Sequence, residues 1–191
     1  VLVREGLYQE SLSLKPFVHV ISTQHQNSHA IPDLKAKPKF SPRVVVKSIS
    51  HDVSMPATTD ICVVVGIHFL CDTLNSDPLI TKTGEGVIQV NACTFESTPV
   101  GAGMGALVDL KGGRFVGLDS RFRVTETGDF GNFAFLQSGE DTTSLLDSCS
   151  ITAPVSKPSS IEIIQIPVIL SSLIMLHCMG AAPLQAGNND A

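Results

Sequence analysis

Apolar and polar positions alternate along this chain in short runs, and clusters of Gly, Pro, Asn and Asp cut the runs apart. In "SPRVVVKSISHDVSMPATTDICVVVGIHF", Ser41 to Phe69, two β-branched runs flank a turn-rich stretch that contains Pro56. Side chains branched at Cβ are stiff at χ1 and pack well on a pleated surface, so such runs predict strands. The same pattern predicts strands over Phe17–Thr23, Arg43–Ser50, Ile61–Phe69, Val87–Phe95, Ala106–Leu110, Arg114–Leu118, Phe122–Thr125, Phe133–Gln137 and Ser148–Ala153. "SMPATTD", "NSDP", "TGEG", "STPVGAG", "KGG", "TGDFGN", "SGED" and "APVSKPSS" supply the turns between them. Many short strands at regular spacing predict an all-β sandwich or barrel. Helix signals are limited to single turns in "NSDPLITKTGEG" and "GEDTTSLLDS", and no repeat of fixed length stands out.

"IEIIQIPVILSSLIMLHCM", Ile161 to Met179, has nearly the length of a membrane span, which needs about 20 predominantly apolar residues. Glu162, Gln165, Pro167, Ser171, Ser172 and His177 interrupt it, and its first half alternates. It reads as one long buried strand, Ile161–Leu176, bent near Pro167.

A chain of 191 residues suits one domain. The pattern divides it into an N-terminal arm over 1–16, a β-domain over 17–182 and a polar tail over 183–191. Charged residues make up 16% of the chain, against about 25% in an ordinary soluble domain. So thin an ionic coat fits either an ordinary β-protein or a subunit with much of its exterior covered by neighbours. The net charge of −5 lacks the basic balance of a free-standing nucleic-acid binder, so RNA contact is expected to be weak or indirect. Cys62, Cys71, Cys93, Cys149 and Cys178 are odd in number and show no C-x-x-C pair, which predicts buried free thiols and a reducing compartment. A start at Val1 without a signal-peptide layout predicts release from a longer precursor.

The chemistry-bearing motifs are thin. "GAGMG", Gly101 to Gly105, has G-x-G-x-G spacing, not the G-x-G-x-x-G of a dinucleotide loop, and strand-like sequence follows it. "TGDFGN", Thr127 to Asn132, is similar to the nucleophile loop of chymotrypsin-like proteases, but Phe130 holds the nucleophile's position and cannot attack a carbonyl. His19, His25 and His29 lie close in sequence on strand and loop, not at the helical spacing of a zinc pair. Lys35, Lys37, Lys39 and Arg43 form the densest basic run; Pro38 and Pro42 keep it extended, and it is the candidate for touching RNA from an inner surface. Arg114, Arg121 and Arg123 form a looser patch beside Asp119. No G-x-S-x-G, S-x-x-K or H-E-x-x-H appears. One Tyr and no Trp leave little aromatic surface for stacking bases or sugars. No enzyme, cofactor, metal site or membrane anchor is expected.

The segment "FSPRVVVKSISHDVSMPATTDICVVVGIHF" resembles the paired C and D strands of jelly-roll coat proteins from small icosahedral plant viruses, the comovirus, nepovirus and cheravirus group. "DPLITKTGEGVIQVNACTFEST" is similar to their next turn and E strand, and "SITAPVSKPSSIEIIQIPVIL" to their final H–I passage, which also resembles tymovirus coat proteins. The resemblance implies an eight-stranded antiparallel jelly-roll β-sandwich. It further implies a structural capsid subunit in a virion, assembled with copies of itself and sibling coat proteins around RNA and formed in the host cytoplasm. The alternative is a non-catalytic β-sandwich binding module, cytokine-like and receptor-engaging, which would carry paired cysteines.

Overall fold

Gly66 divides the run predicted as one strand, with its φ at 69°. Left-handed backbone of this kind turns the chain sharply at a single residue. The same left-handed turn recurs at Ala92 (51°), Asp119 (47°), Ser148 (54°) and His177 (51°), at intervals of 26, 27, 29 and 29 residues. Each turn leads from a strand of one sheet into a strand of the next. The corners lie over one another: the amides of Gly66, Ala92, Asp119 and Ser148 donate to the carbonyls of Asn91, Leu118, Asp147 and Leu176, each at 3.0 Å.

The computed structural model describes residues 1–26, 44–48, 50–75, 77–99, 105–124, 133–139, 141–152, 161–165 and 172–180. Every strand pairing among them is parallel. The first sheet takes β1 (Leu2–Val3), β4 (Val20–Ser22), β7 (Ile61–Val65), β10 (Val87–Asn91), β13 (Gly113–Leu118), β16 (Thr142–Asp147) and β19 (Ser172–Leu176), in that order. The second takes β2 (Gly6–Tyr8), β5 (Val44–Lys47), β8 (Ile67–Asn75), β11 (Thr94–Pro99), β14 (Arg121–Val124), β17 (Ser150–Thr152) and β20 (Met179–Gly180). The third takes β3 (Ser13–Leu14), β6 (His51–Ser54), β9 (Ile80–Thr83), β12 (Gly105–Leu110), β15 (Phe133–Ser138) and β18 (Ile161–Gln165). The chain therefore winds through the three sheets in turn, once per coil, as a parallel β-solenoid. One short helix, α1 (Thr23–Gln26), follows β4.

This overturns the antiparallel jelly roll. A parallel pair needs a crossover of a dozen or more residues, and in a solenoid the other two strands of the coil are that crossover. Near-continuous apolar runs such as "ICVVV" are the mark of parallel strands, whereas a half-solvated antiparallel strand alternates. The two expected helical turns are also corrected: Thr142–Asp147 and Ile80–Thr83 are strands. Ile161–Leu176 is not one strand, since β18 belongs to the third sheet and β19 to the first. In the segment expected as an arm, β1, β2 and β3 form the first coil and pair with β4, β5 and β6.

The core is a set of columns, because each inward residue meets its equivalent one coil away. Phe69, Phe95 and Phe122 are direct register partners on the second sheet. Their rings lie parallel, with centroids 5.2 and 5.0 Å apart. Cys62, Ile88 and Phe115 form a column on the first sheet, with Val64, Val90 and Gly117 beside it. Just past the stacked corners runs a polar column. Cys93 and Cys149 each direct Sγ at a carbonyl two residues back, at 3.4 Å. Ser120 Oγ donates to Leu118 at 2.8 Å in the same place.

Candidate functional site

The basic run singled out in the sequence, Lys35, Lys37, Lys39 and Arg43, lies outside the described residues, as do Gly101–Met104 of "GAGMG", the whole of "TGDFGN" and His29. His25 sits in α1, and the backbone carbonyl of His19 accepts the Val1 ammonium at 2.6 Å. Among the described residues no group of three His, Cys, Asp or Glu is placed to hold a metal. No helix among them is long and apolar enough to cross a membrane.

The described titratable groups meet at most in pairs, such as His68 with Glu96 and His177 with Asp147. His51 is buried against the edge of Phe69, and its Nδ1 accepts the Leu12 amide at 3.0 Å. Burial lowers its pKa to about 4, with Asp52 pulling weakly the other way. The ring is therefore neutral near pH 7, and its Nε2 has no hydrogen-bond partner. His68 Nε2 lies 3.2 Å from a carboxylate oxygen of Glu96 on the outer face of the second sheet. Burial depresses the His68 pKa, Glu96 opposes that, and Arg123 adds to it. Burial also pushes Cys62 and Cys149 up to about 11 and Cys93 up to about 12, which leaves their thiols protonated and poorly nucleophilic. These groups do not form a nucleophile, base and orienting partner in mutual reach.

A cavity of about 520 Å³ opens at the first coils, lined by Val3, Leu12, Leu14, Val20, Val46 and Ile67, with Arg4 and Glu10 among the polar residues around it. Val46 occupies the register position that Phe69 holds in the next coil, so the ring column stops there.

The surface that departs furthest from a solvated exterior is the outer face of the first sheet. Register aligns its outward residues in three rows. One runs Ile61, Val87, Arg114 and Thr143; the central one Val63, Gln89, Val116, Leu145 and Ile174. The third runs Leu2, Ile21, Val65, Asn91, Leu118, Asp147 and Leu176. Eleven of these sixteen residues are Val, Ile or Leu, and at the solenoid ends Leu2, Ile174 and Leu176 remain 54%, 52% and 45% exposed. Strands with apolar residues on both faces are characteristic of sheets covered on both faces, yet the residues of these rows remain half-buried or exposed. Its charges are few. Arg114 is exposed on the first row. Asp147, on the third, meets His177 Nδ1 and the Ser148 hydroxyl through Oδ1, each at 3.1 Å.

Sequence reasoning found Arg114 only as part of a loose basic patch and missed the face altogether. The available signal was the polar-free quality of "ICVVV", which an antiparallel reading absorbs as core. Comparison with family models, curated proteins and solved structures finds no match for this chain.

Proposed function

We propose that this chain is a non-catalytic β-solenoid scaffold that works by association, with the outer face of its first sheet docking onto a second copy. The observation that carries the reading is the set of apolar rows just described, the longest of which runs over all seven strands of that sheet. Strands about 4.8 Å apart and rows about 7 Å apart make this face roughly 500 Å² in extent. Two copies face to face would bury about 1,000 Å², the lower bound of a specific interface. An interface at that bound is a reversible one.

The expectation of assembly with copies of itself is kept in this form. The capsid reading was tied to a jelly roll, and that support is gone with the fold. The receptor-engaging alternative called for a sandwich and paired cysteines; the sheets are parallel and all five cysteines are free.

Sedimentation velocity from about 1 to 200 µM tests the proposal over a range that reaches weak, reversible association. A concentration-dependent dimer in the wild type, abolished by joint Val116→Lys and Leu145→Lys substitution without loss of fold, supports it. A wild type that stays monomeric throughout overturns it.

A further inference from the structure

Resting on that reading, we infer that the two copies are related by a two-fold axis parallel to the solenoid axis, with Arg114 of each copy paired to the partner's Asp147. The positions of the charges select this arrangement. A face-to-face pair of identical sheets has its two-fold axis in the plane between them, and when the strands of the two sheets stay aligned that axis runs either along the strands or along the solenoid. An axis along the strands maps each row onto itself with the coil order reversed. Arg114 on β13 would then lie over Ile61 on β7, and Asp147 on β16 over Ile21 on β4. Arg114 would be buried against aliphatic side chains without a partner, and Asp147 would keep only the His177 and Ser148 contacts of its own chain, both on Oδ1, which is unfavourable.

An axis along the solenoid exchanges the first and third rows and keeps each coil at its own height. Arg114 then faces the partner's third row, where Leu118 is level with it and Asp147 stands one coil further on. One coil is about 4.8 Å and packed sheets are about 10 Å apart, so the two Cα atoms are roughly 11 Å apart, within reach of an arginine side chain. His177 and Ser148 both engage Oδ1 of Asp147, and Oδ2 is the atom the incoming guanidinium takes. Symmetry repeats the pair on the other side of the axis. The central row lies on the axis, so Val116 meets its own counterpart, and the Gln89 amides meet and can exchange hydrogen bonds. The interface is thus apolar along its middle with a charge pair at each margin, and the charges fix the orientation more than the affinity.

A charge-swap cycle in the full chain tests the geometry, with circular dichroism and melting as controls for fold. Arg114→Asp alone and Asp147→Arg alone should each weaken dimerisation about tenfold, and the double variant should return it to within about threefold of wild type. A Val116→Cys variant should give a covalent dimer with a short bis-maleimide, because its thiol faces its own copy across sheets about 10 Å apart, too far for a direct disulfide. If dimerisation is lost in Val116→Lys with Leu145→Lys but neither single charge variant weakens it, the axis assigned here is wrong while association through this face stands. If no dimer forms at any concentration, the inference fails together with the reading it rests on.

Discussion

Lys82 donates from its ammonium to the carbonyl of Gly112 at 2.7 Å, bridging from one coil to the next across thirty residues of sequence. A second bond, to Gly84 at 2.6 Å, ties the same nitrogen to the corner of its own coil. The side chain is fully buried, on an inward position between Val53 and Leu110. Burial brings its pKa down from 10.5 to about 8, and Glu85 opposes the shift. It acts as a clamp on two stacked corners, held at some electrostatic cost.

That cost has a pH signature. From about pH 8 to 10.5 the unfolded chain holds a proton on Lys82 that the folded chain has released, so this group's contribution to stability rises with pH across that window. The buried thiols oppose it above about pH 9, where the folded chain keeps protons that the unfolded chain loses. Lys82→Met isolates the first effect. The variant should be less stable than wild type at pH 7.5 by about 1–3 kcal/mol, since two buried carbonyls lose their donor. The gap should widen by about 1 kcal/mol per pH unit between 8 and 10. Urea denaturation at pH 7.5, 8.5 and 9.5 measures both; parallel stability curves would show that the folded ammonium titrates normally.

Phe95 sits at the centre of the ring column with a partner on each side, so its loss opens a gap that neither neighbour can close alone. Phe95→Ala should cost about 3–5 kcal/mol. Phe122→Leu, which keeps most of the volume, should cost well under half of that. Thermal melts of the two variants provide the comparison.

Ser120 accepts the buried Cys93 amide at 3.2 Å while donating to Leu118, so its hydroxyl satisfies two buried groups at once. Ser120→Ala strands the Cys93 amide, while the Leu118 carbonyl keeps the Ala92 amide, and should lower stability by about 1–3 kcal/mol. Ser120→Cys places in this coil the group that Cys93 and Cys149 supply in the neighbouring ones, and its loss should be the smaller. Equal losses from chemical denaturation of both variants would show that size, not hydrogen bonding, sets the preference.

Gly113 and Ala92 both have positive φ, at 70° and 51°, yet they should respond oppositely to a methyl group. A Cβ on Gly113 would lie 2.5 Å from the Gly86 carbonyl oxygen, so Gly113→Ala forces the backbone of two coils apart. A loss of at least 2 kcal/mol is expected, on the order of other strained core changes. Ala92→Gly removes left-handed strain of about 1 kcal/mol at the expense of one methyl, and should change stability by less than about 1 kcal/mol. The midpoint of urea unfolding decides each.

Cys62, Cys93 and Cys149 are buried and hold their protons well above neutral pH. Native protein at pH 7.5 should therefore label slowly at these positions with a maleimide, while the denatured chain labels at all five cysteines. Peptide mapping after a short pulse distinguishes them, and rapid native labelling of Cys93 would contradict its burial.

The strand positions were legible in the sequence because turn residues and β-branched runs act locally. "VVVK", "ICVVV", "VIQVN" and "RFRV" are strands where the pattern puts them. The repeat was also present, though disguised. "VGIHF", "NACTF", "LDSRF", "DSCSI" and "LHCMG" each turn on their second residue and align their fifth in one column, and all but the last bury their third. No fixed period reveals them, because the two other corners of each coil differ in length. Register partners lie 44 residues apart between Val20 and Val64, but 26 apart between Ile61 and Val87. The candidate surface was harder to see, since Val63, Val116 and Leu145 read as core until pairing places them outside.

By itself, then, the amino-acid order marked most of the extended runs and pointed to unpaired cysteines, but not the corners at Gly66 and Ala92 or the strands Ile80–Thr83 and Thr142–Asp147. What it marked follows from backbone sterics, side-chain branching and composition, which need no distant partner. Only the tertiary structure decided that the strands run parallel, that Phe69, Phe95 and Phe122 stack, and that an apolar face looks outward. Those depend on which strand lies beside which, and a two-residue period states only that neighbours face opposite ways, never what each way meets.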